Sequence, residues 1–194
     1  MKKTIPVLAA VAGLFTLASA AHAATATAIF AGGCFWCVEK DFEKVPGVLE
    51  AVSGYTAGKT TNPTYEQVSN GQTGHTEAVR VSYDTTKVSY AQLVEYFWRH
   101  IDPTVKDRQF CDVGSQYRSG IYWQNEEERK VVEASHAALL KSGRFKNIHT
   151  ELAPASTFYL AEDYHQDYYK KNSVRYNYYR LSCGRDARVK QLWE

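Results

Sequence analysis

The chain lacks several features that would place it in a large functional class. It has no marked excess of charge of one sign, since 23 lysines and arginines accompany 21 aspartates and glutamates among 194 residues. This balance does not favour a nucleic-acid partner. It also has no G-x-G-x-x-G sequence, no serine- or proline-rich linker and no internal repeat. These absences predict one domain that binds neither flavin nor nicotinamide through that fingerprint.

Long hydrophobic runs are absent after the N-terminus. There, Lys2-Lys3 precedes an apolar run over residues 5–17, and small residues follow up to Ala21-His22-Ala23. The run is shorter than the roughly 20 residues that cross a bilayer, so it predicts a cleaved export signal and no membrane anchor. We expect cleavage after Ala23, with cleavage after Ala20 as the alternative. Residues 24–194 would then form a single exported domain with a C-terminal tail and no net charge, periplasmic if the host is a Gram-negative bacterium.

Four cysteines lie in the part that would be exported, at positions 34, 37, 111 and 183. An even number of cysteines in an oxidising compartment predicts a disulfide. Four cysteines allow three pairings, and the sequence does not choose among them. A single C-x-x-C, with no second pair and no histidine pair at ligand spacing, argues against a zinc site.

Hydrophobic periodicity predicts alternating strands and helices. The stretch after residue 171 is rich in tyrosine but shows no clear period. An interleaved order of this kind favours an α+β domain built as a two-layer αβ sandwich. The patterns place strands at 25–31, 48–55, 76–83, 121–123 and 157–160, and helices that begin near residues 35, 89, 125 and 163.

Two residues in this pattern point to chemistry. Cys34 follows Gly32-Gly33 at a strand-to-helix turn, where unpaired amides and the helix dipole favour a reactive thiolate. Glu77 falls on the apolar parity of its strand, where burial would raise its pKa and make it a proton donor. The alternatives are a small buried thiol for Cys34 and a solvent-exposed strand end for Glu77.

Five separated motifs stand out along the chain. They are Gly-Cys-Phe-Trp-Cys at 33–37, Gly-Tyr at 54–55, Gly-His-Thr-Glu at 74–77, Gln-Tyr-Arg-Ser at 116–119 and Glu-Asp-Tyr-His-Gln at 162–166. Together they resemble the peptide methionine sulfoxide reductase A family. The resemblance implies a ferredoxin-like core with added elements and the reduction of the S epimer of methionine sulfoxide, free or in proteins. We expect no prosthetic group and no metal, because every group that this reaction needs is a side chain.

The resemblance also implies a role for each matching residue. Cys34 corresponds to the nucleophile, and Glu77 corresponds to the acid that protonates the sulfoxide oxygen. A sulfoxide oxygen leaves readily only when it is protonated or strongly hydrogen-bonded, so these roles are chemically coherent. The other implied residues are the phenols Tyr65 and Tyr117, the methyl-group pocket of Phe35 and Trp36, and the polar Asp112. From the helix pattern alone, Phe35 is equally well explained as a core residue.

The cysteine that resolves the resulting sulfenic acid is the least certain assignment. Cys183 is the first choice, because it lies in an aperiodic tail beside a glycine and the family commonly places its resolving cysteine there. Cys111 is the rival because it adjoins Asp112, and Cys37 is the third option, although an inert buried thiol is expected there. Structural, hydrogen-bonded roles are expected for His75 and His165.

The electrons are expected to come from an external dithiol protein of the thioredoxin type, because no cofactor fingerprint is present. The expected partners are oxidised proteins or peptides, and the expected state is a monomer. Two other classes remain open. One is a thioredoxin-like disulfide exchanger built on the C-x-x-C at 34–37. The other is a disulfide-stapled secreted binding module without catalytic activity.

Overall fold

The computed structural model describes residues 24–194 as a mixed sheet covered by helices. The export signal and its cleavage sites lie outside these residues. Within them, no helix has the length and apolar character needed to cross a membrane.

The main sheet has six strands and a two-stranded ribbon lies apart from it. The strands of the main sheet are β1 (Thr25–Gly32), β2 (Val48–Thr56), β3 (Thr76–Asp84), β6 (Ser119–Trp123), β7 (Glu151–Pro154) and β8 (Tyr159–Leu160), and the ribbon consists of β4 (Arg108–Gln109) and β5 (Asp112–Val113).

Seven α-helices surround this sheet in the part of the chain that the structure describes. They are α1 (Phe35–Glu43), α2 (Tyr65–Ser69), α3 (Tyr90–Trp98), α4 (Glu126–Lys141), α5 (Tyr168–Lys171), α6 (Ser173–Cys183) and α7 (Arg185–Trp193).

The sheet order is β7-β6-β1-β3-β2-β8. The four central strands, β6, β1, β3 and β2, are antiparallel to one another, β8 is antiparallel to β2, and β7 is parallel to β6. Along the chain, the order β1-α1-β2-β3-α3-β6 is the β-α-β-β-α-β unit of a ferredoxin-like fold. The predicted α+β sandwich with a ferredoxin-like core is therefore confirmed, and β7, β8 and the C-terminal helices are added elements.

Aromatic and β-branched residues fill the core between the sheet and its helices. On β1, the ring of Phe30 stacks on Phe42 of α1 and on Phe97 of α3, with centroid distances of 4.7 and 5.1 Å. Phe30 is paired with Val79 across the sheet, and both are fully buried. The alternation that the sequence shows from residue 77 onwards thus turns one parity of β3 towards the helices.

The turn between β1 and α1 positions Cys34. Gly33 has a φ of +84°, and a Cβ at this position would lie 2.6 Å from Cβ of Gln109. Only glycine fits both this backbone conformation and this close approach. Cys34 then caps α1 without a side-chain hydrogen bond, and its carbonyl accepts from the amide of Cys37 at 3.1 Å.

Four parts of the chain differ from the sequence prediction. The helix expected to begin near residue 163 begins only at Tyr168, as α5. The loop expected before residue 74 contains α2, which begins with a capping box formed by Thr64 and Gln67. An additional edge strand, β7, pairs with β6. The prediction of an aperiodic tail is wrong, because the residues after 172 form α6 and α7. The two helices are joined at Gly184, which has a φ of 69°.

Candidate active site

A cavity of about 110 Å³ opens beside Cys34 at the end of β1 and the start of α1. All the residues predicted for catalysis and substrate binding line this cavity, although they come from separate elements. One further residue, Tyr179 of α6, completes the wall. The lining residues are Cys34, Phe35, Trp36, Tyr65, Glu77, Asp112, Tyr117 and Tyr179.

Glu77 is buried, with 2% of its surface exposed, so the alternative of a solvent-exposed strand end is wrong. Its Oε2 accepts a 3.0 Å hydrogen bond from the amide of Phe35. Burial raises the pKa of the Glu77 carboxyl to about 8, although this hydrogen bond acts in the opposite direction. The carboxyl is therefore protonated around neutral pH and faces the cavity as an acid.

The ionisation of Cys34 differs from the prediction that the start of the helix favours a thiolate. Burial raises the pKa of its thiol well above the usual range, and its hydrogen bond with Cys37 has the same effect. The first amide of α1, that of Phe35, donates to Glu77. One of the amides that could stabilise a thiolate is thus already engaged, while burial disfavours the charged form of Cys34.

Two phenols face the acid and the thiol across the cavity. Burial raises the pKa of Tyr65 to about 12, and the nearby Glu77 and Cys34 act in the same direction. Burial also raises the pKa of Tyr117 above its usual range. Both hydroxyls therefore keep their protons and can donate hydrogen bonds to an oxygen bound in the cavity.

Trp36, in the aromatic wall of the cavity, is fixed by a hydrogen bond and by ring stacking. The indole Nε1 of Trp36 donates to Nδ1 of His165 at 3.0 Å, and Tyr168 stacks on Trp36 with centroids 3.7 Å apart. Phe35 lines the cavity and also belongs to the buried core. The structural roles expected for the histidines are confirmed, since Nε2 of His75 also bonds the carbonyl of Thr60 at 2.7 Å.

Tyr179 is the cavity residue that the sequence analysis missed. Its hydroxyl donates to Oδ2 of Asp112 at 2.5 Å, which joins α6 to the ribbon strand β5. The spacing of Tyr176, Tyr179 and Cys183 places these residues on one face of a helix. This spacing of three and four residues indicates a helix and could have identified Tyr179. It was not recognised because the segment has no continuous apolar stripe.

The family model described as peptide methionine sulfoxide reductase matches residues 26–194. The chain belongs to the peptide methionine sulfoxide reductase family. A Listeria innocua relative named peptide methionine sulfoxide reductase MsrA is 51% identical over 168 residues, covering 86% of this chain and 95% of the relative. A Caulobacter vibrioides relative named peptide methionine sulfoxide reductase MsrA 2 is 46% identical over 195 residues, covering 100% of this chain and 99% of the relative.

Solved structures of the family share the fold. Reduced Mxr1 from Saccharomyces cerevisiae is 30% identical, with a TM-score of 0.71 over 77% of this chain and 86% of that one. Methionine sulfoxide reductase A of Corynebacterium diphtheriae is 38% identical, with a TM-score of 0.69 over 79% of this chain and 77% of that one. Mxr1 is also known in complex with Trx2, at 22% identity, a TM-score of 0.51, and coverage of 74% and 84%.

The cysteines of this family member form one disulfide and one free pair. Cys111 and Cys183 are bonded, with Cα atoms 5.0 Å apart, while Cys34 and Cys37 are free and buried. The disulfide adjoins the cavity, because Asp112 follows Cys111 and lines it. Cys183 sits at the end of α6, so its expected place in an aperiodic tail is wrong. Both sulfurs of the group formed by Cys111, Asp112 and Cys183 are used in the disulfide and do not act as metal ligands here.

Proposed function

We propose that this protein reduces the S epimer of methionine sulfoxide, peptide-bound or free, to methionine, with thiols as the source of electrons. The observation that carries this proposal is that the buried carboxyl of Glu77 lines the same small cavity as the thiol of Cys34. Burial raises the pKa of this carboxyl to about 8, which favours its protonated form. A proton donor and a sulfur nucleophile that face one site are what sulfoxide reduction requires. Membership of the family supports the same substrate.

The cavity offers a distinct contact to each part of the substrate. The sulfoxide oxygen would accept hydrogen bonds from Tyr65 and Tyr117 and take the proton of Glu77. The S-methyl group would pack on Trp36, because sulfur and its methyl group make favourable contacts with aromatic rings. Attack by Cys34 on the sulfoxide sulfur then yields methionine and a sulfenic acid on Cys34. Asp112, tied to the wall by Tyr179, lines the polar side of the cavity.

Cys183 is proposed as the resolving cysteine. It follows Tyr179 by one helical turn on the same face of α6, about 6 Å further along the axis, and Tyr179 itself lines the cavity. The thiol of Cys183 would attack the Cys34 sulfenic acid, forming a Cys34–Cys183 disulfide and releasing water. Cys111 would then attack Sγ of Cys183 and release the Cys34 thiol. This exchange produces the Cys111–Cys183 disulfide that is present in the structure.

We propose an external dithiol protein of the thioredoxin type as the reductant of this disulfide. The complex of the relative Mxr1 with Trx2 supports this choice, and so does the exposed position of Cys111. We further propose that this protein is exported and acts as a monomer without a prosthetic group or metal. In a Gram-negative host it would repair oxidised proteins in the periplasm.

Turnover of the two epimers of a peptide methionine sulfoxide, measured separately with dithiothreitol, tests the proposed function. We expect methionine to form from the S epimer alone, and activity confined to the R epimer would refute the proposal. Insulin-disulfide reduction is the matched assay for the rival disulfide exchanger. Rapid insulin reduction without sulfoxide turnover would favour that rival.

A further inference from the structure

His165 contacts residues that line the cavity but does not line the cavity itself. Its side chain is buried, with 2% of its surface exposed, and its Nδ1 accepts the 3.0 Å hydrogen bond from the indole Nε1 of Trp36. The imidazole also lies against Phe35 and Tyr65, with ring centroids 5.0 and 4.3 Å away. One histidine therefore contacts three of the side chains that would surround the substrate.

The hydrogen bond from Trp36 to His165 fixes a rotation of the indole that ring stacking leaves free. Tyr168 stacks on Trp36 with an angle of 7° between the ring planes and centroids 3.7 Å apart. Stacked rings can slide and turn within their planes, because dispersion forces have little directional preference. A hydrogen bond weakens steeply when it is bent, so it holds one edge of the indole in place. The contact with His165 thus sets the angle at which the indole meets the substrate.

The turn that carries His165 is anchored to its surroundings by further hydrogen bonds. The amide of His165 donates to the carbonyl of Glu162 at 2.8 Å, and the Glu162 carboxylate accepts from the amide of Tyr65 at 2.8 Å. The side chain of Gln166 accepts from the amide of Ser53 on β2 and donates to its carbonyl, both at 2.9 Å. The imidazole is therefore held in place relative to both the sheet and the start of α2.

Only the neutral form of the His165 imidazole fits this arrangement. Because Nδ1 accepts a hydrogen bond, the ring proton must be on Nε2. Nε2 is buried and has no hydrogen-bond partner among the residues that the structure describes. A second proton, placed on Nδ1, would set two N–H donors against each other and leave a cation buried. Burial lowers the pKa of His165 accordingly, and the charge of Glu162 acts in the opposite direction.

We propose that His165 is a positioning residue that determines specificity: its neutral ring fixes the indole of Trp36, so that the pocket fits an S-methyl group and excludes a larger alkyl group. The inference rests on the proposed function, because that function assigns Trp36 to the methyl group of the sulfoxide. When acid protonates Nδ1, the indole is released and the substrate binds less tightly.

The ionisable groups that face His165 keep their charge in mild acid. Against the effect of burial, hydrogen bonds, first of all from the amide of Tyr65, lower the pKa of the Glu162 carboxyl. Burial raises the pKa of Tyr164 and raises that of Tyr65 to about 12, so both hydroxyls stay protonated. The side chains of α1 that contact His165 do not ionise, and they are Phe35 and Trp36. A loss of the contact below neutral pH therefore reports the protonation of His165 itself.

Nitrogen-15 NMR of the wild-type protein tests the contact without any substrate. Near neutral pH we expect His165 to carry its proton on Nε2 alone, and the indole proton of Trp36 to show the shift of a hydrogen-bonded group. Both signals should change together below about pH 6.5, the ordinary pKa of histidine. A proton on Nδ1 near neutral pH, or an indole signal that does not follow the titration of His165, would overturn the proposal.

The pH dependence of substrate binding tests the role of the neutral ring. The background is Cys34→Ser, which binds the S epimer of methionine sulfoxide without turning it over. Its affinity should fall as acid protonates His165. His165→Asn should lack this fall, because Oδ1 of asparagine takes the place of Nδ1 and does not titrate. His100→Asn is the control and should keep it, since burial also lowers the pKa of His100 but its Nδ1 bonds the carbonyl of Tyr96 at 2.7 Å. An acid loss that persists in His165→Asn would overturn the proposal.

Asparagine and leucine at position 165 form a matched pair, because they have nearly the same shape and only asparagine offers an acceptor to the indole. One methylene in a fitted pocket changes kcat/KM by about 10-fold or more. The wild type and His165→Asn should therefore prefer methionine S-sulfoxide to ethionine S-sulfoxide by this factor. His165→Leu should lose most of the preference and raise KM with little change in kcat, since the methyl contact serves bound substrate and transition state alike. Equal selectivity in the two variants, or no preference in the wild type, would overturn the proposal.

Trp36→Phe removes the indole donor and shows whether His165 acts through it. In this background His165→Asn and His165→Leu should have similar KM values, because there is no indole proton left to accept. A difference as large as that measured with Trp36 present would overturn the proposal. Circular dichroism checks that each variant is folded, and the NMR measurement needs no variant. A wild-type protein that shows the contact but reduces neither sulfoxide would refute the proposed function and the specificity role, whereas normal turnover with unchanged selectivity in His165→Leu would refute the specificity role alone.

Discussion

Replacing Glu77 by glutamine should remove the acid from the cavity and leave its shape unchanged. Glutamine retains a carbonyl oxygen that can accept the 3.0 Å hydrogen bond from the amide of Phe35, so the turn before α1 should stay intact. The side-chain amide does not transfer a proton to the leaving oxygen. The two phenols, Tyr65 and Tyr117, would still donate hydrogen bonds, which limits the loss to the proton transfer itself.

The expected loss is that of a general acid. Positioned acids contribute about 100- to 10,000-fold to the rate, which corresponds to roughly 3–5 kcal/mol of transition-state stabilisation. We expect kcat for Glu77→Gln to fall by this factor, with little change in substrate dissociation, because the proton is needed mainly in the transition state.

Steady-state turnover of the S epimer with dithiothreitol measures kcat, and equilibrium binding of the sulfoxide to the variant measures affinity. Circular dichroism and thermal unfolding provide the control for folding. Near-wild-type turnover in a folded Glu77→Gln protein would refute the role of Glu77, and weaker binding at unchanged kcat would assign it to substrate recognition.

Three further predictions concern stability and recycling. Because burial raises the pKa of Glu77 to about 8, the folded wild-type protein holds this proton more tightly than the unfolded chain. Its stability should fall between about pH 4.5 and 8. Glu77→Gln should lack this loss. The free energy of unfolding measured with urea should therefore rise for the variant relative to the wild type as the pH increases. Parallel pH profiles of the two proteins would contradict the assigned pKa shift. Gly33→Ala should lower the unfolding free energy by about 1–3 kcal/mol or more, since its backbone is left-handed and its Cβ would contact Gln109. Gly143→Ala, with a φ of +69° and open space around it, is the matched control and should cost less. Cys183→Ser should release one methionine per enzyme but lose recycling by a protein dithiol, whereas Cys34→Ser should lose both. Full recycling in Cys183→Ser would show that another cysteine resolves the sulfenic acid.

The sequence allowed the α+β sandwich to be predicted because its strands and helices carry clear periodicity, whereas the ferredoxin-like core was implied by the family resemblance. The same alternation made Glu77 a candidate buried carboxyl, since it shares the parity of Val79 and Val81 on β3, although parity alone left a solvent-exposed strand end open. The short helix α2 was not predicted because five residues are too few for a periodic pattern, although its Thr64–Gln67 capping box was present in the sequence.

The C-terminal helices were not predicted for a different reason. Apolar residues of α6 point outwards as well as inwards, and Val174, Tyr178 and Leu181 are strongly exposed. Binary patterning therefore does not define a single buried face for α6, and Tyr179 was missed with it. The Cys111–Cys183 bridge joins residues 72 positions apart. Such a pairing depends on the folded arrangement, so the sequence left all three pairings open.

The central claim is that Cys34 attacks the sulfoxide sulfur. The most direct measurement uses the Cys111→Ser, Cys183→Ser double variant, which is mixed with one equivalent of the S epimer and no reductant, in the presence of dimedone. Peptide mapping by mass spectrometry then locates the label, and the released methionine is counted. The account predicts one methionine per enzyme and a dimedone adduct on Cys34. Methionine released with the label on Cys37, or with no oxidised cysteine at all, would contradict it.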